Sequence, residues 1–208
     1  MKFNMHILVV IVVFLISSCS SSQVYNLNDT RYNELLENIK SEPSLIAIIE
    51  LRHVYVLTQR YRKNINEGRP NQPQFEALLY EDLKVPLVMA HDRLEKNYTS
   101  LNGHYLAMAT SFEMGKEEQS KYHQLLLNIL LEAIWASGNG RSISTAFFST
   151  SSHEIDSFIE LHGFDIISRS MTQRNDKSYE KVKIKDLKTG QLFNWYFDIS
   201  AQKNANKY

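Results

Sequence analysis

The sequence predicts an α+β fold: N-terminal helical hairpins, compatible with tetratricopeptide-like packing, followed by a small, mostly antiparallel sheet carrying one helix. Three observations predict it. Apolar residues recur at spacings of three and four from Tyr32 to Trp135, the mark of amphipathic helices. They alternate with polar residues on both sides of Lys188-Thr189-Gly190, the mark of a half-buried hairpin. Between the two regimes, the apolar stretch from Leu125 to Phe148 is broken at Ser137-Gly138-Asn139-Gly140, which reads as the pivot.

Composition limits the function classes. The chain has 208 residues, 43% of them hydrophobic, enough to bury a core. Lys+Arg and Asp+Glu balance at 23 each, so there is no electrostatic footprint for nucleic acid. A single cysteine, Cys19, excludes an intrachain disulfide framework and a multi-cysteine zinc site. There is no P-loop, dinucleotide fingerprint or nucleophile elbow, and no cofactor is expected.

The N-terminus places Lys2 ahead of an apolar run from Ile7 to Ile16 and then small residues, the layout of a bacterial secretory signal. The run is too short for a comfortable membrane span. Ile16-Ser17-Ser18-Cys19 resembles the lipobox of bacterial lipoproteins, which implies cleavage before Cys19 and diacylglyceryl transfer to its sulfur. Multiple acyl chains on one residue make a stable anchor. Ser20, in place of the aspartate that marks inner-membrane retention, implies delivery to the outer membrane, facing the periplasm. The organisation expected is a signal over 1–18, a lipidated tether over 19–28, one domain over 29–200 and a frayed tail over 201–208.

Within the helical half, 29–137, Asp29 or Thr30 can cap a helix to about Lys40 with Tyr32, Leu35, Leu36 and Ile39 on one stripe. Pro43 restarts the chain, and Ser44 to Arg62 reads as a second helix, with Arg52, Arg60, Arg62 and Lys63 turned away from the stripe or gathered at its end. Asn64 to Pro73 is a loop by composition, Gln74 to Leu83 a third helix, and Pro86 to Tyr98 a fourth with proline in its first turn. Leu101 to Met114 and Lys116 to Trp135 form a hairpin around Gly115, and the second arm is apolar on more than one face, so it belongs at the centre. His104 and His123 meet inside this hairpin as a hydrogen-bonded pair rather than a metal site.

Gly138 stands where a left-handed C-cap residue is expected, and Asn139-Gly140 favours a tight turn. In the β half, 138–200, Ser144 to Ser149 reads as a strand. Ser151 with Glu154 reads as a capping box opening a helix that ends at Gly163, where His162 suits the helix dipole. Phe164 to Met171 follows as a strand, then the hairpin around Lys188-Thr189-Gly190.

The run Ile134 to Ser142, then Thr145-Ala146-Phe147, Ser151 to Leu161 and Tyr196-Phe197-Asp198-Ile199, resembles the C-terminal half of the bacterial domain-of-unknown-function family 4919. The resemblance implies the same helix, pivot, strand and helix order over about residues 30 to 200. Asn139 departs from it by standing where an acid is common, as does His153-Glu154-Ile155 at the start of the second helix. The family has no established activity, so the implication is for fold alone.

Two functions are carried forward. The first is a non-enzymatic envelope lipoprotein, held to the membrane through Cys19, whose domain binds an envelope protein or a cell-wall component. The second is a small-ligand or hydrolytic site at the pivot, where Gly138, Asn139, Gly140, Arg141 and Ser142 could present backbone N–H groups and a cation to an anion. No catalytic or metal-ligating set is assigned: six histidines, at 53, 91, 104, 123, 153 and 162, follow the leader without forming a ligand motif.

Overall fold

The computed structural model describes residues 27–65 and 82–205. Cys19, and most of the expected loop and third helix over 64–83, lie outside the described residues. Helix α1 (residues 27–41) buries Tyr32, Leu35 and Ile39, three of the four residues of its stripe, with Leu36 partly buried beside them. Helix α2 (Leu45–Tyr55) begins where the Ser44 hydroxyl accepts from the Ala47 N–H. It stops short of the expected Arg62. The Thr58 hydroxyl donates to the Tyr55 carbonyl at 2.6 Å and accepts from the Tyr61 N–H at 3.0 Å, so it closes one helix and opens α3 (Gln59–Ile65). A short hydroxyl side chain competes with the backbone in this way, and apolar spacing does not record it.

Helix α4 (Lys84–Lys96) carries Pro86 in its first turn, as expected. Helices α5 (Leu101–Glu113) and α6 (Glu117–Ala136) form the central hairpin, turned by Gly115 at φ +70°. The helices pack in pairs, α4 on α5 and α5 on α6, with α2 also against α6. Leu126, Leu127, Leu130, Ala133 and Ile134 face inward along α6, and its C-terminal end reaches the sheet. That placement accounts for the breadth of its apolar surface. No helix among the described residues is long and apolar enough to cross a membrane.

The sheet has four strands in the order β1-β4-β3-β2: β1 (Phe147–Phe148), β2 (Phe164–Arg174), β3 (Lys177–Asp186) and β4 (Leu192–Asp198). β1 runs parallel to β4, and the other pairs are antiparallel. The strand expected over 144–149 shrinks to two residues because Ile143–Thr145 wind into a 3₁₀ turn. The β2–β3 turn, Asn175-Asp176, has both residues at positive φ (51° and 60°), as a two-residue hairpin of matching twist requires.

Helix α7 (Ser152–Leu161) lies on one face of the sheet, burying Ile155, Phe158 and Ile159 against Val182, Ile184 and Phe197. The expected frayed tail begins instead as helix α8 (Ser200–Ala205), where Gln202 and Ala205 are buried and Gln202 accepts from the Ser152 hydroxyl. A six-residue polar helix carries no periodicity long enough to read, and its packing on α3 and β3 is what makes it stable.

Candidate functional site at the helix-to-sheet junction

The pivot turn is built around one carbonyl. Asn139 and Gly140 both donate their N–H to the Thr145 carbonyl, at 3.1 and 2.8 Å, and the Arg141 N–H donates to Asn139 Oδ1 at 3.0 Å. The amide hydrogens that would cradle an anion therefore point at protein acceptors. Gly140 carries the positive φ, +66°, and a Cβ there would lie 2.3 Å from the Phe147 ring. Gly138 is not left-handed as expected; glycine is needed there because a Cβ would sit 2.5 Å from the Thr145 carbonyl oxygen. The Gly140 carbonyl then accepts from the Tyr196 N–H at 2.8 Å, which ties the turn to β4. Ser142 sits in a hydroxyl cluster with Ser144 and Thr145, at 2.9 and 3.0 Å, and Arg141 is exposed beside it.

Glu154, nine residues beyond Thr145, and Arg52, far back along the chain, form a charged pair that closes the junction. Arg52, expected to point away from the core, is 1% exposed and is the bulkiest of the fully buried side chains. Its Nε and one terminal nitrogen bond the two oxygens of Glu154 at 3.2 and 3.0 Å. That terminal nitrogen also donates to the Phe148 carbonyl at 2.9 Å, and the other reaches the Ala133 carbonyl at 3.4 Å. Glu154 accepts a further bond from the Thr150 N–H at 2.7 Å. One guanidinium thus joins α2, the end of α6, β1 and the start of α7.

The spacing of Ser151 and Glu154 predicts a capping box. Ser151 does cap, accepting from the Glu154 N–H at 3.1 Å, but the Glu154 carboxylate is turned inward to Arg52. Four Arg52 hydrogen bonds and one from the Thr150 N–H hold the pair to protein, so its chemistry is that of a clamp: two charges sealed from water are tolerated only while each satisfies the other. His53, next along α2, stacks on Phe148 at 4.4 Å, and its pKa is lowered by burial and by Arg52.

Beside the clamp, Trp135, Phe147, Phe158, His162 and Trp195 form an aromatic cluster with ring separations of 4.5–6.4 Å. The Trp135 indole N–H donates to His162 Nε2 at 2.9 Å while His162 Nδ1 faces the Phe158 carbonyl at 2.7 Å. A carbonyl cannot donate, so Nδ1 carries the proton, Nε2 keeps its lone pair, and the ring is neutral. The expected role of His162 as a helix-end cation gives way to that of a bridge between α6 and α7.

His104 and His123 do meet, Nδ1 to Nδ1 at 3.0 Å. His104 Nε2 faces the Tyr98 carbonyl at 2.8 Å and must donate, so its Nδ1 accepts the proton that His123 Nδ1 offers. Burial drives the pKa of His104 down to about 3 and that of His123 to about 4. Tyr98 and Tyr122 join hydroxyls at 2.7 Å alongside. Among the described residues, no three His, Cys, Asp or Glu side chains are grouped as metal ligands.

No curated protein and no solved structure matches the chain. A family model described as a domain of unknown function (DUF4919) matches residues 20–207, which includes both halves and the junction between them. The chain is a member of the DUF4919 family.

Proposed function

We propose that this chain is an envelope lipoprotein whose α+β domain serves as a non-enzymatic binding or scaffold module. The observation that carries the proposal is Ile16-Ser17-Ser18-Cys19 at the end of a short apolar run opened by Lys2. Ser20 directs it to the outer membrane, with the domain in the periplasm, where an envelope protein or a cell-wall component is its partner. The non-enzymatic reading draws support from the junction, where Arg52, Glu154 and His162 are bonded to one another's elements rather than converging on an open cleft. Paired helix faces are a common platform for protein docking.

Labelling cells with a fatty-acid analogue tests the anchor. The parent chain takes up label and shifts in mass by the acyl groups, and Cys19→Ser takes up none. Label retained by Cys19→Ser would overturn the assignment. Gentle cross-linking of the lipidated chain followed by mass spectrometry tests the binding role, with an envelope partner enriched in the parent and lost in Cys19→Ser.

The second reading places a small-ligand or hydrolytic site at Gly138 to Ser142. Its support is the exposed Arg141 beside the Ser142, Ser144 and Thr145 hydroxyls. It would now depend on side chains, since the amide hydrogens of Asn139, Gly140 and Arg141 already have acceptors.

A further inference from the structure

Lys181, Lys183 and Lys185 alternate along β3 and so lie on one face of the sheet. It is the face that α7 leaves uncovered: α7 packs on the side of Val182 and Ile184, both fully buried, whereas Lys181 and Lys183 are half-buried and Lys185 is exposed. The strand register sets Ser170 and Tyr196 beside Lys181, and Ser168 and Asn194 beside Lys183. Neither lysine has a carboxylate at a paired position. Lys185 has Asp165 on one side and Leu192 on the other.

None of the three makes an ion pair among the described residues, unlike Lys177 on the same strand, which meets Asp198 at 3.3 Å. Lys181 Nζ instead stands 5.9 Å from the Tyr196 ring. In a chain with equal numbers of acidic and basic residues, this is a local excess of positive charge on one face of the sheet.

The same face ends at the β3–β4 turn, where Leu187 and Leu192 are 59% and 54% exposed, with Lys185 and Lys188 around them. The tip is rigidly held. Asp186 Oδ1 accepts from the Lys188 and Thr189 N–H groups at 2.7 and 3.1 Å, and the Leu187 N–H donates to the Gly163 carbonyl at 3.1 Å, against the end of α7. Those donors lower the pKa of Asp186, so its charge is engaged within the turn.

Exposed leucines fixed beside unpaired lysines discriminate among anionic partners. A hydrophilic polyanion would engage the lysines and leave Leu187 and Leu192 in water. A bilayer takes both, with ammonium groups at the phosphates and leucines at the acyl boundary. We propose that this face of the sheet, with the Leu187–Leu192 tip, docks reversibly on anionic phospholipid headgroups. The contact does not require acylation of Cys19. In an anchored chain it would hold the domain against the bilayer.

The test uses the full chain carrying Cys19→Ser, so that its outcome is independent of lipidation, with Leu192→Cys labelled by an environment-sensitive fluorophore. Vesicles of phosphatidylcholine with phosphatidylglycerol shift the emission to the blue, vesicles of phosphatidylcholine alone do not, and 0.5 M salt reverses the shift. Replacing Lys181, Lys183 and Lys185 by Gln weakens partitioning to the anionic vesicles about a hundredfold, roughly fivefold for each lysine. A label at Lys121→Cys on α6 stays unshifted. Equal shifts with both lipids, or a triple variant that matches the parent while keeping its thermal transition, would overturn the proposal. So would a lysine-dependent shift produced by dissolved polyphosphate but not by vesicles, which would assign the face to a soluble polyanion.

Discussion

The Arg52–Glu154 pair and the His104–His123 pair are both sealed inside the domain, yet one is made of full charges and the other of neutral rings. Arg52 and Glu154 join residues 102 apart in sequence and close the junction between the two halves. His104 and His123 are 19 apart and lie within one helical hairpin. Charges can be buried at the junction because four elements supply fixed acceptors and donors there at once. Among the described residues the histidines meet one carbonyl, that of Tyr98 just ahead of the hairpin, so they persist there as uncharged rings. Removal of a partner therefore threatens the first pair, whereas a fall in pH threatens the second.

Breaking the junction has the largest expected effect. Arg52→Ala or Glu154→Ala leaves an uncompensated buried charge and costs about 3–5 kcal/mol in denaturant melts. Replacing both, with Arg52→Met and Glu154→Leu, costs less than either single change, because no charge is left behind. If each single variant melted like the parent, the pair would not be the clamp between the halves.

The two pairs differ as sharply in how they can be read from sequence. His104 and His123 sit on adjacent arms of a hairpin whose turn glycine is visible, so local spacing brings them together. Arg52 reads as a solvent-facing basic residue and Glu154 as part of a cap, and nothing within a helical window relates positions 102 apart. The cues to them are a charge amid Leu51 and Val54 on a stripe, and a capping acid that also follows Thr150 by four residues. The pivot shows the same limit. Its turn is evident, but which glycine is left-handed depends on the Thr145 carbonyl and the Phe147 ring, both supplied from beyond the turn. The Asn175-Asp176 turn escapes reading for a different reason: its cue is two residue types that tolerate positive φ, which hydrophobic alternation does not register.

The next effect separates steric from electrostatic control of the junction. Gly140→Ala places a methyl against Phe147 in a left-handed backbone, costing about 2–4 kcal/mol from strain and overpacking together. Gly138→Ala drives a methyl into the Thr145 and Ala146 backbone carbonyls at ordinary φ, so it tests close approach without the conformational cost. A Gly140→Ala chain as stable as the parent would show that the pivot can relax.

Acid should act on the histidine pair first. Both rings are neutral in the folded chain, with pKa values of about 3 and about 4, whereas the unfolded chain takes up protons near the ordinary histidine value of 6.5. The unfolded state therefore binds more protons below pH 6.5. The stability contributed by the pair is complete above that pH and is lost as pH falls toward 4, at up to about 1.4 kcal/mol per pH unit for each ring. His104→Gln and His123→Gln together flatten this slope in melts between pH 7 and pH 4.5. An unchanged slope would assign the acid sensitivity to other groups.

The smallest expected effect decides between the two proposed functions. Arg141 is exposed, its backbone N–H is already bonded to Asn139 Oδ1, and replacement by Ala leaves that bond in place. Arg141→Ala should change stability by no more than about 0.5 kcal/mol, the usual range for a surface site. If the pivot serves only to connect α6 with β1, the variant also behaves as the parent in cells. If the hydroxyls of Ser142, Ser144 and Thr145 bind an anion, Arg141 is the nearest residue in sequence that can neutralise it, so the phenotype is lost while the melt is unchanged. A loss of function without loss of stability would move the site from the partner-binding faces to the pivot. A loss of both would instead mean that Arg141 supports the turn, a task the geometry assigns to Gly140, Asn139 and the Thr145 carbonyl.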